Sequence, residues 1–321
     1  MLPIRYALPA LAASLISGYA GTACAQGYPS KTIRLVTSEA GGGSDLAARI
    51  LTPVLSTSLG QSIVVDNRGG GVIAGEVVAK AAPDGHTLLI YGNTFWLLPL
   101  MRSSVSYDPV KDFLPISLTA MTPSVLVVHP SVPAKSVKEL IALAKARPGV
   151  LNYASAAPGT TNHLGAELFK SMTGVNIVRL GFKGASSAMT SVMAGEAHIM
   201  FSIVPQAMAQ SKAGRVRALA VTSVKRSALA PGLPTMVESG MPGFEVIFTP
   251  GIFAPAGTPA PIVERLNREI SRTLERPEIR EKFLSVSMEP VGGSPEEFAA
   301  AIKKEITVMG KVIRDAGIRE D

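Results

Sequence analysis

From residue 33 to residue 222, short β-branched runs alternate with stretches of helical spacing, and this alternation restricts the fold more than any other feature of the chain. The runs are Ile33–Thr37, Ser62–Asp66, Thr87–Tyr91, Val125–His129, Val150–Ser155, Asn176–Leu180, His198–Ser202 and Val216–Thr222. Each has the length and apolar character of a strand covered on both faces. Between them apolar residues recur at helical spacing. In Ser136–Arg147, Val137, Leu140, Ile141 and Ala144 share one face and Ser136 is placed to cap it. Strands and helices in strict turn predict an α/β protein with largely parallel sheets and right-handed crossovers. Residues 259–321 depart from the pattern and read as helices over Ile262–Leu274, Pro277–Leu284 and Pro295–Ala316. The last opens with Ser294, Pro295 and Glu297, a capping box, and carries an apolar stripe of Phe298, Ile302, Ile306, Met309 and Ile313 that belongs to a core. Pro53, inside the helical stretch that follows residue 43, is expected to kink that helix or end it early.

The segment "TSEAGGGSDLAARIL" (37–51) joins the first strand to the first helix through three consecutive glycines. A dinucleotide fingerprint counted from Gly41 would need a third glycine where Leu46 stands, and no G-K-[ST] follows as a P-loop requires. No G-x-S-x-G elbow or H-E-x-x-H occurs, and His86, His129, His163 and His198 lack ligand spacing, so the residues nominate no metal and no cofactor. What survives is a helix N-terminus with free backbone N–H groups, where the helix dipole favours an anion. Ser38, Glu39, Ala40, Gly41, Gly42 and Gly43 would bring their backbone to it, with a helix beginning at Asp45, which would cap the first turn or bond ligand or water. A tight strand–helix turn without a ligand would use glycine in the same way. Against that stands a second copy: "VLNYASAAPGTTNHLGAELF" (150–169) is again strand, small-residue loop and helix, offering Ser155, Ala156, Gly159, Thr160, Thr161 and His163. Two such loops facing each other across a cleft between two domains could each offer a helix N-terminus to one bound anion or to both ends of a dianion.

The first 25 residues carry one charge, Arg5, then an apolar run and the sequence Ala23-Cys24-Ala25, the layout of a secretory signal cleaved after Ala25. Lipidation at Cys24 is the alternative. Cys24 is the chain's one cysteine, so the processed protein has no thiol and no disulfide. The formal charge of +7 falls to +6 when Arg5 leaves, with lysines and arginines scattered and aromatics at 5%. This composition favours small anions over nucleic acid.

Many segments together carry a resemblance: "YPSKTIRLV", the glycine loop ending in Asp45, "VDNRGGG", "VVAKAAPDGHTLLI", "YDPVKDFLPIS", "SVKELIALAKARPGVLNYAS", "HLGAELFKSMTGV", "VRALAVTSVKRSALAPGLPT", "GIFAPAGTP" and "EPVGGSPEEFAAAIKKE". In this order they resemble the Bug-type substrate-binding proteins of tripartite tricarboxylate transporters over residues 28–318. The resemblance implies a type II periplasmic-binding-protein fold with two lobes, 26–123 plus 247–321 and 124–246, and chain crossings near Met121–Ser124 and Glu245–Thr249. It further implies a monomeric periplasmic receptor that closes on a carboxylate and delivers it to membrane permease subunits. Ser38–Asp45 and Ser155–His163 become the ligand loops, "FKGAS" (182–186) places Lys183 near the cleft, and Asn93 or Ser202 could contact the rest of the ligand. Where the family often has Pro-Phe-Pro, Tyr and Asp, this chain has "TSEA", Phe182 and Ser202. Exchanging one carboxylate for another in this way alters the charge of the pocket. Two other functions fit the same residues: a ligand sensor reporting to a signalling partner, and a hydrolase using Ser155 or Ser44 with His163.

Overall fold

The structure, a computed structural model, describes residues 27–69 and 72–319. The expected signal, its cleavage site and Cys24 lie outside these residues, as do Gly70 and Gly71. In chain order the first elements are β1 (Ile33–Thr37), α1 (Gly43–Leu59), β2 (Ile63–Asn67), α2 (Ile73–Ala79), β3 (Thr87–Tyr91), α3 (Thr94–Met101) and β4 (Phe113–Leu118). The long β5 (Ala120–Val128) leads into α4 (Val137–Ala146), β6 (Asn152–Ser155), α5 (Thr161–Thr173), β7 (Val178–Gly181), α6 (Ala185–Met193), β8 (Ile199–Ile203), α7 (Val204–Lys212) and β9 (Arg217–Val221). The chain then runs through β10 (Ile247–Phe248), β11 (Gly251–Pro255), α8 (Ala260–Leu274), α9 (Pro277–Ser285), β12 (Glu289–Pro290) and α10 (Pro295–Asp315).

The strands form two sheets. One runs β2-β1-β3-β11-β4 and the other β10-β5-β8-β6-β7, with β9 and β12 also paired to β5. In the first sheet the parallel set β2-β1-β3 meets antiparallel β11, supplied by a later return of the chain, and in the second the parallel set β8-β6-β7 meets antiparallel β5, which precedes it. The fold is therefore α/β with two mixed sheets. Both segments expected to cross between sheets take part in one antiparallel pair, with Ile247 opposite Pro123 and Phe248 opposite Thr122. Beside it β12 pairs with the start of β5 at Met121 and Ala120.

Packing explains why these elements hold. Phe95, Tyr107, Phe113, Phe253, Trp96 and Phe298 form an aromatic cluster between α3, β4, β11 and α10, with ring centroids 4.8–6.3 Å apart. Beyond α10 the same apolar core continues to Phe169, Phe201 and Phe244 around the second sheet. The stripe on α10 enters it: Phe298, Ile302, Met309 and Ile313 are buried and Ile306 half-buried. Ser294 accepts the Glu297 amide (3.2 Å) while Glu297 accepts the Ser294 amide (2.8 Å), completing the expected capping box. Ser136 caps α4 as expected, accepting the Glu139 amide. Helix α1 does not end early at Pro53 but runs to Leu59. Its buried face, Ala47, Ala48, Leu51, Leu55 and Leu59, is continuous past the proline, which lies on the exposed side where water can take the orphaned carbonyl.

Candidate functional site

The glycine loop joins β1 to α1, whose first residue is Gly43 rather than Asp45. Its three glycines answer to different demands. Gly41 has φ +80°, a left-handed conformation that glycine adopts at little cost. Gly43 has to be bare because Phe248 leans on it: a Cβ there would lie 2.5 Å from Cε1 of that ring. Gly92 receives the other side of the same ring, with a Cβ falling 2.2 Å from Cε2. Phe248 thus ties the β5–β10 ribbon to the first loop. Gly42 contacts Glu39 O and Ser38 Oγ within the loop, at 3.2 and 3.3 Å from a notional Cβ.

Asp45 is 2% exposed and holds the loop together. Its Oδ2 accepts Gly41 N–H (2.8 Å) and Arg49 Nε (3.0 Å), and its Oδ1 accepts Asn67 Nδ2 (2.8 Å). Burial opposes its charge, but the hydrogen bonds from Arg49, Gly41 and Asn67 outweigh burial and hold the carboxyl below the usual range. Asn67 also donates to Ser38 O (2.9 Å), so Asp45 and Asn67 together brace the glycine loop. Glu39 is exposed and lies beside Gly69.

The second loop, between β6 and α5, is braced in a similar way. Asn162 Oδ1 accepts the Ala156 amide (3.2 Å), and the Thr160 hydroxyl donates within the loop, to Ala157 O (2.7 Å) or to Asn162 Oδ1 (2.6 Å). Thr160 is the N-cap residue of α5, yet its hydroxyl does not cap a helix amide. Arg179, on β7, donates Nε to Ser155 Oγ (2.8 Å) and Nη2 to Ala156 O (2.8 Å). His163 Nδ1 accepts the Gly159 amide (3.2 Å). Burial and the Arg179 charge together push His163 down to about 4, so at neutral pH the ring is uncharged and Nε2 bears its proton. Ser155 and His163, the nucleophile and base of a hydrolase reading, are each engaged with a different partner.

A cavity of about 410 Å³ gathers much of the second loop. Ala156, Thr160, Thr161 and Lys183 line it, as do Ser124, Asn162, Gly184, Ala185 and Ile203. Three helices open onto this space: α5 at Thr160, α6 at Gly184 and α7 at Ile203. None of the three carries an acid in its first turn, whereas α1, α2, α4, α9 and α10 do. Helices α3 and α8, away from the cavity, also lack one. The amide ends of α5, α6 and α7 and the Lys183 ammonium give this cavity a positive lining. Ser124, which lines the cavity, stands two residues along β5 from Thr122, the partner of Phe248. Gly159 approaches Met101 of α3 so closely that a Cβ would fall 2.6 Å from Sδ.

Two further expected ligand contacts have partners within the protein. Asn93 donates to Ile247 O (3.0 Å) and Glu305 Oε1 (2.9 Å), and Ser202 Oγ bonds Gln206 Oε1 (3.0 Å). The sequence reading missed Arg179, Asn162 and Phe248. Asn162 and Arg179 lay within or beside quoted motifs, and Phe248 lay in the segment Glu245–Thr249 expected as a chain crossing, where nothing signalled its packing against the glycines.

The family model for the tripartite tricarboxylate transporter family receptor matches residues 47–318. The chain belongs to that family. It is 35% identical to the protein BugT of Bordetella pertussis over 309 residues, 94% of each chain. A Rhodopseudomonas palustris protein solved with adipate is 37% identical, with a TM-score of 0.72 over 91% of this chain and 99% of that one. MatC from the same organism, with bound malate, is 30% identical, with a TM-score of 0.69 over 89% of this chain and 100% of that one. Membership in a receptor family fits a site built from amide ends and a lysine. Among the described residues no group of His, Cys, Asp and Glu is suited to a metal, and no helix is long and apolar enough to cross a membrane.

Proposed function

We propose that this protein is the periplasmic receptor of a tripartite tricarboxylate-type transporter, binding a small dicarboxylate between two lobes and presenting it to membrane permease subunits. The lobes are residues 26–123 with 247–321, and residues 124–246, joined by the β5–β10 ribbon. The observation that carries this reading is the cavity ringed by three acid-free helix N-termini and Lys183. One carboxylate sits on the Ala156–Asn162 amides with Lys183 beside it, and the glycine loop closes over the other. Asp45, Asn67, Arg179 and His163 position the loops without touching the ligand. Relatives solved with adipate and malate support a dicarboxylate as the class. The chain is exported, cleaved after Ala25 and acts as a monomer.

Calorimetric titration of the exported protein with malate and with adipate tests the proposal. At about 100 times its dissociation constant a ligand should add roughly 2.7 kcal/mol to the stability. Lys183→Gln, on an exposed position, should weaken binding about tenfold, the order expected for losing one charge-assisted hydrogen bond. Absence of binding by every small dicarboxylate tried, or full affinity in the Lys183 variant, would overturn the assignment.

A further inference from the structure

The ribbon between the two sheets has two faces, and the anion site uses one of them. Side chains alternate along a strand, so Thr122, Ser124 and Phe248 share the face that meets the glycine loop and the anion cavity. Met121 and Ile247 lie on the opposite face, where with Thr249 they wall a separate cavity of about 290 Å³ beneath α10. Leu118, Val291, Phe298 and Met309 give it an apolar lining. Two carboxylates open onto it, Glu305 and Glu245, against one ammonium, Lys304. Lys304 Nζ is already paired with Glu245 Oε2 at 3.1 Å. Glu305 is held by neutral donors, Oε1 by Asn93 Nδ2 (2.9 Å) and Oε2 by Trp96 Nε1 (2.9 Å). Burial raises its pKa in spite of these bonds. Asn93 is 3% exposed, and its Oδ1 has no partner among the described residues.

We propose that this cavity behind the hinge is a second binding site, which takes a small monocation with an apolar body. The ammonium sits against Glu305 and the body lies on Phe298 and Met309. A cation in the cavity adds an opposite charge at Glu305 beyond that of Lys304, whose ammonium is paired with Glu245, in a medium where that attraction exceeds its value in water. The volume is close to the lower end of ligand cavities, roughly 300 Å³, which limits the class to primary amines carrying one ring or a short chain. The two carboxylates turn away the anions that the opposite face attracts, so the two faces of the ribbon select opposite charges. This holds whatever the cleft binds.

The test is a titration of the exported protein with 2-phenylethylamine, followed by calorimetry and by the fluorescence of Trp96, which lines the cavity. 2-Phenylethanol and phenylacetate serve as neutral and anionic probes of the same shape. Ala301→Trp fills the cavity from an exposed position on α10, and Glu305→Gln removes the charge. The expected result is saturable binding of the amine that weakens at least tenfold in either variant and at least tenfold for the alcohol and the acid. No saturable binding of the amine, equal affinity in Ala301→Trp, or phenylacetate binding as tightly as the amine would each overturn the proposal. Because Ala301 is exposed, the filled variant is informative even if Glu305→Gln fails to fold.

Discussion

His163 shows how one buried side chain sets a pH limit. It is 4% exposed in the first turn of α5 and is held near pKa 4, against 6.5 for a free imidazole. Between those values the unfolded chain binds a proton that the folded chain refuses, so stability rises with pH across this window. The contribution is complete above pH 6.5 and is lost as pH falls towards 4, a loss of about 3 kcal/mol. Urea denaturation of wild type and His163→Asn at pH 7 and pH 4.5 should show a smaller acid loss in the variant; equal losses would mean that the proton is taken up elsewhere. The glycines give a second expectation at this scale. Gly43→Ala or Gly92→Ala would drive a methyl group into the rigid Phe248 ring, costing about 1–3 kcal/mol. Phe248→Leu should recover part of that cost in a double-mutant cycle, and strictly additive effects would show that the ring is not the obstacle. These residues also mark the limit of the sequence reading. Three adjacent glycines announce a backbone approached closely, but part of that approach comes from Phe248, a residue remote in sequence in a segment legible only as a chain crossing.

Elements were legible where their own sequence explains them. The boundaries of β1 and β3 and the caps of α4 and α10 follow from strand runs and N-cap chemistry. Helix α3, "TFWLLPLM", was not visible, because an element buried almost all round has no polar face to give it a period. Strands β4 and β11 contain Pro115 and Pro255, which argue against a strand interior, yet β11 lies between β3 and β4 with all five residues buried. Strands β10 and β12 have two residues each and exist through their pairing with β5, a fact of tertiary structure. The capping box on α10 gives the prediction at this scale. Ser294→Ala removes the acceptor for the Glu297 amide and should cost about 1 kcal/mol. The midpoint of urea unfolding should fall without a change in slope, and Ser294→Asp should restore it. An unchanged midpoint in the alanine variant would mean that the tertiary packing of Phe298 alone fixes the helix start.

At the scale of the molecule two sheets are joined by narrow strands, which would suggest two units able to melt separately. The packing favours the opposite outcome. The core around Phe95, Trp96 and Phe298 is continuous with that around Phe169, Phe201 and Phe244, and α10 lies against α3 and β4 on one side and α5 on the other. Exposing either sheet would strip apolar contacts from both, so a partly unfolded molecule would keep half the chain ordered while losing the shared core. Trp96, 2% exposed and the chain's one tryptophan, sits at this junction with its indole N–H on Glu305. Its fluorescence therefore reports the shared core, while far-UV circular dichroism reports the helices of both halves. The two signals should change together in a single urea transition, and a saturating dicarboxylate should shift both by the same amount, since a ligand that binds only the folded state stabilises the whole cooperative unit. Circular dichroism loss in two steps, with Trp96 following only one, would mean that the halves fold independently and that the core shared through α10 does not couple them.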